Sequence, residues 1–150
     1  GQLQATGRQA AARVLKAEFT DQADTLVLDL RSAYRVKELQ KLQRTFHFVR
    51  EGGGCLSVTD EVAFAAPASF ETALVTFGPW KQLAPGRLLV GPAGSAVRVE
   101  IDTRGKPFEV RAEEIHEDLP GKRVPVRIGI SLAEPVREAA VRLTIVPADK

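Results

Sequence analysis

The residues of this sequence best suited to binding a ligand form a cluster of basic side chains between residues 31 and 50. It contains six cations: Arg31, Arg35, Lys37, Lys41, Arg44 and Arg50. Arginine forks match the geometry of carboxylate and sulfate groups, so such a cluster suits a polyanion that carries them. The alternative is that the charges form a solvated face, and this plainer interpretation is favoured.

Two ring side chains are candidates for contact with a sugar. His47 stands between two phenylalanines, so on a strand it points away from both, toward solvent or a cleft wall. Its imidazole can hydrogen-bond hydroxyls or, when protonated, pair with a carboxylate. Trp80 follows Gly78-Pro79 on a predicted loop, where its ring would stack on a sugar or plug the end of the domain. For both residues the structural role is favoured.

No residue is assigned to catalysis or to a metal. His116 lies in the acidic run 113–118, but no motif fixes a ligand spacing there. Cys55 is the single cysteine, so an internal disulfide is impossible and a small core residue is expected. The glycine-containing stretches 52–54 and 91–95 lack the strand-to-helix context of phosphate loops. We expect neither a metal nor another cofactor.

Three further residues have plain structural interpretations. Asp29 and Asp60 each end a predicted strand, where a carboxylate more often caps a turn or pairs with Arg44 than performs acid–base chemistry. Tyr34 is the only tyrosine and follows a strand end, so packing of its ring is favoured.

Composition excludes several classes of protein. The chain has 150 residues, which suits one domain with its own core. Hydrophobic residues make up 44% and charged residues 27%, as in ordinary globular proteins. A net charge of +2 with interleaved signs disfavours nucleic-acid binding. No apolar run approaches the roughly 18 residues of a membrane span, so no membrane partner is expected. The single cysteine leaves the compartment unknown.

Alternation of apolar and polar residues, interrupted by turn residues, predicts about ten strands. They cover residues 13–19, 26–30, 46–49, 56–62, 72–77, 87–90, 96–101, 108–115, 124–130 and 139–146. Without a long helix to cover them, these strands must bury their apolar faces on one another. The sequence therefore predicts an all-β fold, an antiparallel β-sandwich of two packed sheets.

Four segments carry finer expectations. The second strand is apolar on both faces and is expected to be buried. Residues 35–43 fit either a short helical turn or a crossing loop, and residues 65–68 read as a loop. Pro125 cannot donate to a ladder, which places its strand near a sheet edge.

The segment 25–62 also resembles a known family. A strand ends in Asp29-Leu30 and is followed by Ala33-Tyr34, a basic strand opens with Arg44, and a further strand closes on residues 59–62. This arrangement resembles the tail of the β-sandwich domain of the heparinase II/III-like polysaccharide lyases, and residues 1–4 fit the same alignment. Where some relatives have a histidine after a Phe-Glu-Thr-like strand, this chain continues Ala73-Leu74-Val75, so no ligand role is transferred there.

The resemblance implies a single β-sandwich domain at residues 1–150, excised from a larger protein with an upstream helical toroid domain. The family's catalytic and metal-binding histidines would lie upstream, and its catalytic tyrosine belongs to the helical domain and does not correspond to Tyr34. The parent would cleave acidic, uronate-containing polysaccharides by β-elimination, in the periplasm or after secretion, while the isolated chain would be inactive. The alternative is a noncatalytic carbohydrate-binding or interdomain packing module. The expected glycan contacts are Arg31, Arg35, Arg44, His47, Arg50 and Trp80.

Overall fold

The computed structural model describes residues 10–116 and 123–148 and is all-β, as the alternation predicts. Its eleven strands are β1 (Arg13–Phe19), β2 (Ala23–Asp29), β3 (Leu39–Val49), β4 (Cys55–Ala68), β5 (Glu71–Thr76), β6 (Trp80–Ala84), β7 (Arg87–Val90), β8 (Val97–Asp102), β9 (Phe108–Glu114), β10 (Val126–Leu132) and β11 (Val136–Pro147). Two short 3₁₀ turns lie at Arg31–Ala33 and Glu51–Gly53. The predicted turn at 119–122 lies outside the described residues.

The strands form two antiparallel sheets, which confirms the predicted sandwich. The large sheet has eight strands in the order β1-β2-β3-β4-β11-β8-β7-β6, and the small sheet has three in the order β5-β10-β9. The last strand, β11, therefore lies in the middle of the large sheet, between β4 and β8. None of the helices in the described part of the chain has the length and apolarity needed to cross a bilayer.

The core lies between the small sheet and one region of the large one. Leu88, Val99 and Val141 from the large sheet and Ile128 and Ile130 from the small sheet are all 0–1% exposed. They belong to one apolar cluster, to which Leu42 of β3 also contributes and whose large-sheet members come mainly from β4, β7, β8 and β11. We call these four strands the covered region.

A glycine connection joins β3 to β4. Gly52, Gly53 and Gly54 all have positive φ, between 64° and 94°, which non-glycine residues adopt only with strain. The connection brings Val49 opposite Cys55 and starts a long antiparallel pairing between the two strands. The glycine-mediated reversal predicted here is confirmed.

Four local expectations were wrong or needed resolution. Residues 65–68 are the end of β4, not a loop, because β4 continues beside β11 up to Ala68. Residues 35–43 are a connection followed by the start of β3, with no helical turn. Pro125 precedes β10, which is the central strand of the small sheet and not an edge strand. The second strand is half-buried along its whole length, because the core cluster does not extend over it.

Candidate functional site

An ion pair between neighbouring strands links the two sheets. Arg44 on β3 lies opposite Asp60 on β4. Its Nε and Nη2 donate to the two Asp60 oxygens at 2.6 and 2.7 Å. Thr72, on β5 of the small sheet, donates its hydroxyl to Asp60 Oδ2 at 2.6 Å and accepts a hydrogen bond from Arg44 Nη2 at 3.1 Å. We call this group the inter-sheet clasp.

The clasp is largely withdrawn from solvent. Asp60 and Thr72 are 2% and 5% exposed. The hydrogen bond to Asp60 raises the pKa of Arg44 against the opposing effect of burial, so the guanidinium stays charged. Two of its nitrogens are occupied, which leaves Nη1 as the part of this predicted glycan contact not used by the clasp.

Three more of the six clustered cations pair with nearby carboxylates on β2 or β4. Arg31 donates to Asp29 at 2.8 Å, Lys41 to Glu61 at 2.9 Å and Arg50 to Asp24 at 2.6 Å. Asp29 also accepts the backbone N–H of Arg31, so it caps the turn as predicted. Hydrogen bonds from Arg31 hold the pKa of Asp29 below its usual range. These pairs neutralise much of the charge that the sequence displays.

The remaining two cations, Arg35 and Lys37, are exposed and have no ion-pair partner among the described residues. They lie in the connection between the first 3₁₀ turn and β3. Arg31 lies nearby because its Nη1 donates to the carbonyl of Gln40, the residue before Lys41. We call Arg31, Arg35, Lys37 and Lys41 the basic end.

The predicted glycan contacts do not converge on one place. Arg31 contacts Gln40 near the start of β3, whereas Arg50 follows its last residue, a separation of about 30 Å at 3.3 Å per residue. Trp80 lies five strands away from β3 in the large sheet, about 24 Å at 4.8 Å per strand. The cations therefore form separate groups along the sheet, not one groove.

His47 lies on the outer face of the large sheet, opposite the core. It is exposed, as its position between two phenylalanines predicts, and its Nδ1 lies 3.0 Å from the Thr25 hydroxyl. Strand register places it in a polar row of Thr25, His47, Ser57, Thr144, Glu100 and Arg87. Arg44 points to the inner face, so the two residues cannot act on one ligand.

Trp80 begins β6 and is not on a loop. It is half-buried, pairs with Val90 and packs against the core cluster. Tyr34 is also half-buried against that cluster. Both rings have the structural role that the sequence favoured.

The acidic run that contains His116 has one short contact. His116 Nε2 lies 3.0 Å from Glu114 Oε2, and both side chains are exposed by more than 60%. Residues 117 and 118 lie outside the described residues. Within the described ranges, no group of three or more His, Cys, Asp or Glu side chains is placed to hold a metal ion.

A second polar cluster, which the sequence did not indicate, lies on the outer face of the small sheet. Glu71 on β5 accepts hydrogen bonds from Arg127 and Ser131 on β10. Arg127 also donates to Glu113 on β9 at 3.2 Å, so the group joins all three strands. It lies over Gly129, where an added Cβ would be 3.0 Å from the Glu71 carboxylate. Strand pairing across 56 residues brings these groups together, which no local pattern reveals.

An open cleft of about 330 Å³ lies beside the β10–β11 turn. Lys106, Glu134 and Arg137 are among its lining residues. None of the predicted glycan contacts lines it.

Comparison with solved structures gives consistent matches. A heparinase III gene product has a TM-score of 0.72 at 15% identity, over 93% of this chain and 22% of its own. Another heparinase III structure has a TM-score of 0.66 at 14% identity, over 98% of this chain and 23% of its own. Heparan sulfate lyase HepC from Pedobacter heparinus also matches, with a TM-score of 0.66 at 14% identity over 93% and 22%.

This chain has the fold of part of a heparinase III chain. The resemblance predicted from the sequence is thus confirmed at the level of the fold. No protein-family profile and no curated protein matches the chain by sequence. The chain spans about a fifth of the length of the heparinase III chains that it matches.

Proposed function

We propose that this chain is a β-sandwich domain, in the C-terminal portion, of a longer heparinase II/III-like protein. Its parent would cleave acidic, uronate-containing glycans by β-elimination, and this domain would be structural or would flank the substrate. The supporting observation is the fold match, which takes in nearly all of this chain but about a fifth of each matched lyase. The other parts of the parent would include an upstream helical domain.

The chemistry of elimination defines what such a domain has to supply. A base must remove the C5 proton of the uronate, a cation or hydrogen-bond donor must neutralise its carboxylate, and an acid must protonate the leaving oxygen. The family resemblance assigns the base and acid to the upstream region. This chain would contribute cations that hold flanking carboxylates or sulfates.

The basic end is the part of the predicted glycan surface best suited to that task. Arg35 and Lys37 are exposed and have no ion-pair partner among the described residues, whereas Arg44 is held in the inter-sheet clasp. Arg31 is paired but its side chain is still 52% exposed. Glycan contact through Arg50, His47 and Trp80 remains a prediction, at sites separate from the basic end.

Lyase activity tests the proposal directly. Elimination creates unsaturated uronate ends that absorb ultraviolet light, so absorbance is followed on heparan sulfate, alginate and related glycuronans. We expect turnover by the full product of the gene and none by the 150-residue chain. A full product without activity on any glycuronan would contradict the lyase assignment, and turnover by the chain alone would contradict the placement of the chemistry upstream.

Glycan contact by the basic end has its own test. Replacing both Arg35 and Lys37 with Ala should lower retention of the chain on immobilised heparan sulfate severalfold. Rising salt should weaken retention of the wild type, because exposed charges are screened within about 8 Å at physiological ionic strength. The control is Lys81→Ala with Arg111→Ala, which also removes two exposed cations, but away from the basic end. Equal losses for both variants would remove the basic end as the contact.

The second candidate function is a noncatalytic carbohydrate-binding or interdomain packing module. The exposed apolar residues of β1 favour the interdomain form of this alternative. A parent that lacks lyase activity but binds a glycan would support this candidate over the first.

A further inference from the structure

The inner face of the large sheet continues as an apolar surface beyond the core. In register, Asp60 lies opposite Arg44, Arg44 opposite Leu28, and Leu28 opposite Val14. Because the Asp60 side chain is buried and paired strands share side-chain direction, the whole row points inward. Beyond Arg44, the other inward residues of this part of β1, β2 and β3 are apolar, apart from Asp24 at the rim. We define the open face as Val14, Ala17, Phe19, Leu26, Leu28, Phe46 and Phe48.

The described residues leave much of this surface uncovered, although Leu26, Leu28 and Phe46 are half-buried. Phe19 is 69% exposed, Val14 57% and Phe48 37%. None of the seven residues belongs to the core cluster or packs against it, within the part of the chain that the structure describes. A contiguous apolar patch of this kind is unusual on a monomeric protein and marks an interaction surface.

At the rim of the open face, the Asp24 carboxylate has a hydrogen-bond partner for only one of its two oxygens among the described residues. Asp24 lies opposite both Phe19 and Phe48. Its Oδ2 accepts a hydrogen bond from Arg50, whose guanidinium lies over the Phe48 ring at 5.6 Å. Its Oδ1 is buried and has no hydrogen-bond partner among the described residues. A buried carboxylate oxygen costs free energy unless a donor reaches it.

Chain length indicates what covers the open face. The matched solved chains carry this fold in 22–23% of their length, so more than three quarters of each lies elsewhere in the same polypeptide. Apolar contacts between domains of one chain need no separate partner and persist at any concentration.

We propose that the open face is where the remainder of a longer parent polypeptide packs, through an apolar segment that presents a hydrogen-bond donor to Asp24 Oδ1. This inference rests on the proposed membership of a longer protein and is independent of lyase activity. Packing there would shield Phe19 and Phe48 and hold β1, the edge strand, against a second layer.

Hydrogen exchange on the wild-type proteins is the first test. Amide exchange in 13–29 and 46–48 is compared between the 150-residue chain and the full product of its gene. We expect protection at these positions to rise at least tenfold in the full product, with little change in β10. Equal exchange in the two proteins would overturn the proposal.

Paired variants locate the contact. In the 150-residue chain, Phe19→Ser with Phe48→Ser should at least halve the fluorescence of a bound apolar dye. In the full product, the same pair should abolish the added protection of β1. The control pair is Val75→Ser with Phe77→Ser, since these side chains are 59% and 62% exposed elsewhere; it should leave both readouts unchanged.

Two other outcomes would overturn the proposal. Equal effects of both pairs would show that the open face has no special role. A dimer of the full product that the Phe19 and Phe48 substitutions dissociate would show that a second copy covers the face. Because neither readout uses turnover, an inactive full product that passes both tests would refute only the lyase assignment.

Discussion

The covered region and the open face are parts of one sheet with opposite surroundings. Both present alternating apolar residues to the same side, but Leu88 and Val141 in the covered region are 0% and 1% exposed, whereas Phe19 on the open face is 69% exposed. The small sheet makes the difference, because its Ile128 and Ile130 pack on the covered region. Alternation along a strand shows that one face is apolar but does not show what covers it.

The largest expected difference between the two regions is in core truncation. Ile128→Ala should destabilise the chain by about 2–5 kcal/mol, because it removes buried methyl groups and leaves a cavity. Phe19→Ala, which removes a larger but exposed side chain, should change stability by at most about 0.5 kcal/mol. Urea unfolding of both variants measures the contrast. A loss above about 2 kcal/mol for Phe19→Ala in the 150-residue chain would mean that the open face is already covered.

The inter-sheet clasp provides the second contrast. Asp60→Ala leaves Arg44 and Thr72 without their acceptor and should cost about 2–3 kcal/mol, less than for a fully buried pair because the Arg44 side chain is 31% exposed. Asp24→Ala removes the partner of Arg50 on the rim of the open face, where the partly exposed pair should be worth less than about 1 kcal/mol.

A double variant separates the ion pair from simple packing. Arg44→Leu combined with Asp60→Leu removes both charges, so it should cost less than Asp60→Ala alone. The free energies of unfolding of the two variants are compared in urea. If the double variant is less stable than Asp60→Ala, the clasp stabilises the fold by more than the mutual neutralisation of its two charges.

The smallest expected change in stability comes from Glu71, on the outer face of the small sheet. Partial burial acts to raise the pKa of Glu71, but hydrogen bonds from Ser131 and Arg127 outweigh it and the pKa is lowered. The stabilisation is therefore present above the ordinary carboxyl pKa of about 4.3 and is lost as pH falls through the lower folded-state value.

Comparison of wild type with Glu71→Gln measures this effect. At pH 7 the variant should be less stable by up to about 1 kcal/mol, a fall in Tm of roughly 2–4 °C for a chain of this size. The difference should shrink as pH falls below about 4. A gap in Tm that is constant from pH 7 to pH 3 would show that the Glu71 charge does not stabilise the fold.

Local patterns predicted the fold well where neighbouring residues decide it. Alternation located β1 at its observed bounds, because a strand with one polar face has a period of two residues. The last strand also faces as expected, with Val141 and Leu143 buried and Arg142 exposed. The short β6 was missed because Trp80 follows a Gly-Pro pair typical of loops, and its strand character comes from pairing with β7.

Long-range pairing decided the remaining features. A proline within the predicted strand 124–130 suggested an edge, but Pro125 precedes β10, whose own amides are free to pair on both sides. The pairing of Asp60 with Arg44 was among the sequence expectations, since both end or begin neighbouring strands. The contribution of Thr72 was not, because it depends on how the two sheets are stacked. For the same reason the sequence grouped six cations that the structure distributes over the two ends and the middle of β3.

The central position of β11 has a consequence for synthesis. Strands β1–β4 and β6–β8 have no hydrogen-bonded link to each other except through β11, whose residues are the last of the described strands to be made. Until Val136–Pro147 leaves the ribosome, β4 and β8 are edge strands with unpaired backbone groups, to which other nascent chains can pair. Assembly of the large sheet must therefore wait for β11 and should be slow, since it joins partners about 80 residues apart.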